Sequence, residues 1–310
     1  MTGFATEIAR EGDKLTGPWR RPRQMLAKQA VSGSTSIHDD STAQELGFSG
    51  GTIEGPTHFS QFEPLAEAFW GNEWRRAGCI SAHYRAPVFE GEAVRAIATL
   101  DAGQPDYAAI RMEKEDGTEV LTGSMSVGED APQSALRARL ETLDRLTQPV
   151  LVADVPVGAT TSRTPVTMDL GTHMGALYPF TLADKLAVIT EPNTRFNVEL
   201  PFEMISVLGN SKADVEAFPV RRPSVGLFAD QEIRLHDGPL LVGETYEVER
   251  EVIARTGSRK TESLWVEYRI FRGEDAAPAA TMLLNLASLK ASYADYEADA
   301  RALYGDHFNG

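Results

Sequence analysis

A histidine and several carboxylates stand close together between residues 33 and 58, in a stretch rich in glycine. Asp39 directly follows His38, and Glu54 and His58 come after a run of glycines. Imidazole and carboxylate groups are the side chains that most often exchange protons in general acid–base catalysis. The stretch therefore predicts a site of proton transfer, provided that the fold brings these side chains to one cavity.

Each of these side chains also has a purely structural interpretation. Asp39 or Asp40 is well placed to cap the short helix expected at residues 41–47, because an aspartate oxygen can accept from the free amides of a first turn. Glu54 precedes the next helix, where a carboxylate interacts favourably with the helix dipole. His58 lies beside Phe59 and is equally compatible with the edge of the core. Among them, His38 is the strongest candidate to face a ligand.

Composition and charge argue against several classes of partner. The 310 residues include 45 acids and 30 bases, which gives a formal net charge of −15. Such a surface repels phosphate backbones and anionic lipid, so we expect neither nucleic-acid nor membrane binding. No apolar run approaches the roughly 20 residues that span a bilayer. The first residues contain acids and no apolar segment, so no secretory signal is predicted and we expect a cytoplasmic protein.

Cysteine and histidine usage gives no sign of a metal centre or a disulfide framework. The single cysteine, Cys79, lies in an apolar stretch and is expected to be a small buried side chain. The six histidines show no spacing typical of metal ligands. We therefore predict no metal, and His83, His173 and His236 are expected to be structural.

The chain repeats a short pattern about 150 residues apart. Residues 87–92 (PVFEGE) and 239–244 (PLLVGE) both read Pro-x-x-x-Gly-Glu, and strand-like segments flank each of them. An apolar helix is predicted before each strand set, at residues 56–71 and 201–209. A further hairpin is predicted at Glu115-Asp116-Gly117.

One helix followed by mainly antiparallel strands predicts a sheet curled around the helix in each half. Two such halves can pair their sheets edge to edge. We therefore predict an α+β chain with a first repeat at residues 1–130, a linker with a helix at 131–160, and a second, degenerate repeat at 161–310. Two unrelated α+β domains remain the alternative.

The segment IHDDSTAQELGFSGGTIEG resembles the MaoC-like dehydratases, the (R)-specific enoyl-CoA hydratases. The residues in register with that family's motif are His38, Asp40, Ala43, Gly47, Phe48 and Gly55. The later segments HYRAPVFEGEAV, IRMEKEDG and VLTGSMSVG look like that family's strands. The resemblance covers residues 20–130 well and implies a double hotdog fold, which agrees with the internal repeat.

The resemblance also implies a reaction and a set of site residues. It implies hydration or dehydration of an acyl thioester, with His38 as the acid–base group and the amide of Gly55 as the donor to the thioester oxygen. Gly33 holds the position of the family's catalytic aspartate. The missing carboxylate could be replaced by Asp39 or Glu54, and we expect Gly33, Gly55 and His58 to contact the substrate.

No cofactor is implied beyond a CoA-type carrier that forms part of the substrate, and the resemblance allows a homodimer. Two other functions stay open. One is a binding protein that has kept the pocket and lost the chemistry. The other is a thioesterase, in which Glu54 near the helix start would support hydrolysis.

Overall fold

The computed structural model describes residues 3–31, 36–214 and 216–308. The strands of the first half are Ala9–Glu11 (β1), Lys14–Thr16 (β2), Gly78–Tyr84 (β3), Val94–Asp101 (β4), Gln104–Lys114 (β5) and Glu119–Val127 (β6). Its helices are Asp40–Glu45 (α1), the 3₁₀ helix Gly55–Gln61, Glu63–Trp70 (α2) and Asn72–Ala77 (α3). A further helix, Ala135–Thr142 (α4), follows the last of these strands.

The second half has the same kinds of element. Its strands are Thr164–Thr167 (β7), Gly226–Leu235 (β8), Thr245–Gly257 (β9), Thr261–Arg272 (β10) and Ala280–Leu289 (β11). Its helices are Leu182–Leu186 (α5), Phe202–Asn210 (α6) and Tyr296–Tyr304 (α7), with short 3₁₀ turns at Thr194–Asn197, Lys290–Ser292 and Gly305–His307.

All eleven strands belong to one antiparallel sheet. Their order is β1-β2-β4-β5-β6-β3-β8-β11-β10-β9-β7, so each half contributes one continuous side. The two sides meet where β3 pairs with β8, with Ile80 opposite Ile233. The α+β double hotdog architecture expected from the repeat is confirmed, including the edge-to-edge pairing of the two halves.

The turn in each Pro-x-x-x-Gly-Glu repeat depends on its glycine. Gly91 has φ 88° and Gly243 has φ 80°, a backbone region that glycine enters without the steric cost paid by other residues. The predicted hairpin also forms, since Glu115-Asp116-Gly117 lies between β5 and β6. The repeated sequence pattern thus marks a repeated backbone conformation.

Two apolar helical segments lie at the centre of the sheet. Phe59, Phe62 and Leu65 are fully buried, which stabilises the fold by roughly 1.5–3 kcal/mol per side chain. The helix predicted over residues 56–71 is divided at Phe62 into the 3₁₀ helix and α2. The division follows from Pro64, which has no backbone N–H and is tolerated only in the first turn of an α-helix. The second predicted helix, α6, packs against the 3₁₀ helix.

Helix α4 lies on the outer face of the sheet, within the predicted linker. Its first amides are capped by Ser134, whose side chain accepts from Arg137 N. Arg137 Nε also donates to Glu232 on β8 at 2.8 Å. These contacts fasten α4 across the join between the halves, while the proposed limits of the repeats stay a prediction.

Cys79 is buried, as expected for a small apolar side chain. In the parts of the chain that the structure describes, helices long and apolar enough to cross a membrane are absent.

Candidate functional site

A cavity of about 480 Å³ opens between the two halves. The first half contributes the loop around His38, the start of the 3₁₀ helix and the end of β3. The second half contributes the end of α6 and parts of β8, β10 and β11. Most of this wall is apolar. The polar side chains on the wall, among the described residues, are Gln29, Ser36, His38, Thr52, Glu54, His58, Tyr84, Arg85, Tyr178, Asn210, Asp214, Arg222, Ser224, Arg250, Tyr268 and Ser288.

The loop that carries His38 is closed by its own hydrogen bonds. Thr52 N donates to the Ile37 carbonyl at 3.3 Å, and Gly51 N donates to Asp40 Oδ1 at 2.7 Å. The backbone segments are so close at Gly51 that a Cβ there would lie 2.2 Å from the His38 carbonyl oxygen. The glycine run therefore fixes the position of His38.

Asp39 points away from the cavity and caps α1. Its Oδ1 accepts from Thr42 N at 2.9 Å and from the Ser41 hydroxyl at 2.5 Å, and these bonds lower the pKa of its carboxyl. Because its carboxylate is hydrogen-bonded to the first turn of α1, Asp39 does not hold a water beside His38, and its prediction as the second proton-transfer group is wrong. The capping interpretation of this residue is confirmed.

His38 is half-buried and its ring orientation is fixed. Nδ1 donates to the Thr52 carbonyl at 2.6 Å, which leaves Nε2 as the nitrogen able to accept a proton. Burial lowers the pKa of the imidazole, and the hydrogen bond to Thr52 opposes that shift. His38 is therefore neutral at pH 7 and suited to act as a base on the cavity wall.

Glu54 is buried on the same wall and leaves the amides of the 3₁₀ helix uncapped. Burial raises the pKa of its carboxyl to about 7, while the charge of Lys185 and a hydrogen bond from Tyr178 oppose the rise. A carboxyl with such a pKa exchanges a proton readily at neutral pH. Of the acids considered from the sequence, Glu54 is the one that the fold brings to the cavity with His38.

Gly55 begins the 3₁₀ helix, where the first amides have no partner from a preceding turn. The ring of Tyr84 packs against this residue so closely that a Cβ would lie 2.4 Å from Tyr84 Cζ. A larger residue would displace the tyrosine from the cavity wall. Gly55 thus lets a backbone amide and an aromatic ring share one edge of the cavity.

His58 lies on the wall but is almost completely buried. Among the residues that the structure describes, nothing forms a hydrogen bond with its Nδ1. Burial, together with the charges of Lys185 and Lys114, lowers the pKa of His58 to about 3. His58 is therefore a neutral wall residue. Gly33, the remaining residue considered from the sequence, lies outside the described residues.

Three wall residues from the second half had no signal in the sequence. Tyr178 hydrogen-bonds to Glu54 and to Asn210, and Tyr268 donates to Asn210 Oδ1 at 2.8 Å. Their sequence neighbours form no motif, and only the pairing of the two halves brings them to Glu54. His83 is similar, because Nδ1 lies 2.7 Å from Asp230 Oδ1, a partner 147 residues away.

The whole fold is similar to that of a solved protein from Chloroflexus aurantiacus J-10-fl, provisionally named a MaoC domain protein dehydratase. The TM-score is 0.52 at 15% sequence identity, over 92% of this chain and 94% of that one. The chain has the double hotdog fold.

Weaker likenesses are found to two proteins of Mycobacterium tuberculosis. One is a conserved hypothetical protein described as having a double hotdog fold, with 11% identity, a TM-score of 0.49, and coverage of 88% of this chain and 93% of that one. The other is the dehydratase domain of PpsC in complex with C12:1-CoA, with 8% identity, a TM-score of 0.46, and coverage of 92% and 98%. No family model and no curated protein matches the sequence.

Within this double hotdog, Gly51→Ala should disrupt the His38 loop. The new Cβ would meet backbone at 2.2 Å, so we expect a loss of roughly 1–3 kcal/mol in the free energy of unfolding. Urea denaturation measures it. Gly50→Ala is the control, since its Cβ would meet only the Asp40 carboxylate at 3.2 Å. Equal losses in both variants would contradict the close approach at Gly51.

The titration of His58 should make the double hotdog less stable in acid. Its pKa is about 3 in the folded chain and near 6.5 when exposed, so the unfolded chain binds the proton more tightly. Stability is therefore lost as the pH falls from 6.5 towards 3, by up to about 1.4 kcal/mol per pH unit.

The variant His58→Gln lacks this titration. The difference between wild-type and variant unfolding free energies should therefore change over that pH range, as followed by urea denaturation at each pH. A constant difference from pH 7 to pH 4 would show that His58 is not the titrating group.

Proposed function

We propose that the protein is a hydro-lyase that adds water to, or removes it from, an acyl thioester with a conjugated double bond. The observation that carries the proposal is the placement of His38 and Glu54 on the wall of one cavity, which gives that wall a neutral imidazole and a carboxyl whose pKa is about 7. The provisional name of the Chloroflexus protein of the same fold is in keeping with this reaction.

The chemistry requires that the two groups hold one proton between them. In hydration, His38 Nε2 removes a proton from water as its oxygen attacks the β-carbon, and protonated Glu54 supplies a proton to the α-carbon. Dehydration runs the same transfers in reverse, so the α-proton passes to Glu54 and the leaving hydroxyl takes its proton from His38. In this scheme Glu54 takes the role of the family's aspartate, whose position is held by Gly33.

The thioester oxygen gains negative charge when water attacks the β-carbon or when the α-carbon is deprotonated. We assign its stabilisation to the amide at Gly55, because uncompensated amides at the start of a helix favour negative charge. The apolar wall from the second half would hold the acyl chain. The scheme uses the substrate's own CoA-type or protein carrier, and the cytoplasmic location and a homodimer stay predictions.

Replacing either proton-transfer group should reduce hydration strongly. We expect His38→Ala and Glu54→Gln each to lower kcat by about 10²-fold or more, the usual loss for a general acid or base. Loss of the conjugated double bond of trans-2-enoyl-CoA substrates of graded length, followed by absorbance, measures the rate.

His173→Ala is the matched control, because His173 is exposed and does not line the cavity. Full activity in Glu54→Gln would remove Glu54 from the mechanism. Release of free thiol by the wild type, lost in Glu54→Gln, would instead identify a thioesterase, which its carboxylate near the helix start also suits. Binding without turnover would leave the ligand-binding protein as the function.

The pH dependence of kcat/KM should be bell-shaped. Below the lowered pKa of His38 both groups are protonated, and above about pH 7 Glu54 has lost its proton. Activity in either direction should therefore fall above about pH 7, and the residual activity of Glu54→Gln should lack that falling limb. If activity still falls above about pH 7 in Glu54→Gln, the fall is caused by the titration of another group.

A further inference from the structure

We propose that Lys185 and Glu203, both from the second half, form a positioning pair that sets the protonation state of Glu54. The inference rests on the proposed function for its catalytic consequence. Neither residue lines the cavity among the described residues, so both would act through Glu54 rather than on the substrate.

Lys185 lies directly behind the helical turn that Glu54 precedes. Its Nζ donates to the Thr57 hydroxyl at 2.9 Å, and Thr57 N in turn donates to the Glu54 carbonyl at 3.1 Å. The lysine is almost fully buried, so its charge is poorly screened by water. A charge so close to the start of the 3₁₀ helix acts directly on the Glu54 carboxyl.

Glu203 competes with Glu54 for the same lysine. Its Oε2 lies 3.5 Å from Lys185 Nζ, and its two carboxyl oxygens have no hydrogen-bond partner among the described residues. Burial raises the pKa of Glu203 to about 7, and Lys185 opposes the rise. Two buried acids thus share one buried base, and each acid makes ionisation of the other harder.

Other groups surround the two acids but differ in what they contribute. Tyr178 forms a hydrogen bond with Glu54, and Tyr84 and His58 are neutral. Burial and the charge of Glu203 raise the pKa of Glu63 on α2, and the charge of Arg195 lowers it. The titratable and charged groups around the pair are His38, His58, Glu63, Tyr84, Lys114, Tyr178 and Arg195. Lys185 and Glu203 are the two whose charges act on Glu54 most directly, one lowering and one raising its pKa.

Removing the charge of Lys185 and removing that of Glu203 should shift the pKa of Glu54 in opposite directions. In Lys185→Met the pKa of Glu54 should rise above its wild-type value by about one unit or more, because the stabilising cation is lost. In Glu203→Gln it should fall, because the competing acid is lost. The double variant should lie between the two, since the effects are coupled through one site.

The decisive measurement is the titration of Glu54 itself, followed by NMR of protein carrying ¹³C-labelled glutamate carboxyls. The Glu54 signal is assigned by its loss in Glu54→Gln. Lys260→Met is the control, since Lys260 is exposed and does not line the cavity. Glu203→Gln keeps the shape of the side chain and leaves Lys185 to interact with Glu54 alone, so it tests the proposal even if Lys185→Met folds poorly.

The falling limb of the pH–rate profile should move with the pKa of Glu54 in each variant. Shifts in the same direction, or no shift in either variant, would overturn the positioning pair. A third outcome is also possible. If NMR shows opposite pKa shifts of Glu54 in the two variants while the wild type hydrates none of the thioesters, the positioning pair is upheld and the hydro-lyase proposal is overturned. The two inferences therefore fail separately.

Discussion

The pairing of β3 with β8 is the interaction on which the rest of the structure depends. It joins two curled sheets into one and presses the 3₁₀ helix of the first half against α6 of the second. Any polar side chain on the facing sides of these helices loses its water. The cavity and the raised pKa values of the acids buried between the halves both follow from this single edge contact.

Burying an ionised side chain is unfavourable in free energy, and the acids between the two central helices reduce this penalty by becoming protonated. Glu54, Glu63 and Glu203 all have raised pKa values, so each is readily protonated near neutral pH and need not carry a full charge. Lys185 and Arg195 offset part of the remaining charge. A structural ion pair would hold fixed charges, whereas this arrangement leaves an exchangeable proton beside the cavity.

Local features could be read from the sequence, because they depend on neighbours along the chain. The second central helix, the repeated Pro-x-x-x-Gly-Glu turn, the hairpin at residues 115–117 and a cap from Asp39 or Asp40 are of this kind. The choice among Asp39, Glu54 and His58 could not be made in that way. It depends on Tyr178 and Lys185, which lie more than 120 residues further on and form no pattern with Glu54.

Both halves have a glutamate two residues before a proline at the start of the central helix, but only the glutamate of the first half lines the cavity. Glu54 and Glu199 each stand two residues before the proline that opens a central helix. Arg75 Nε donates to Glu199 at 3.0 Å, and Arg195 Nε lies 3.7 Å from it, so this carboxylate is held by arginines away from the cavity lining. Glu54 faces the cavity with a tyrosine and a shared lysine instead. The second half thus supplies part of the cavity wall and the buried lysine that acts on Glu54, so the two halves of the chain have different roles at the cavity.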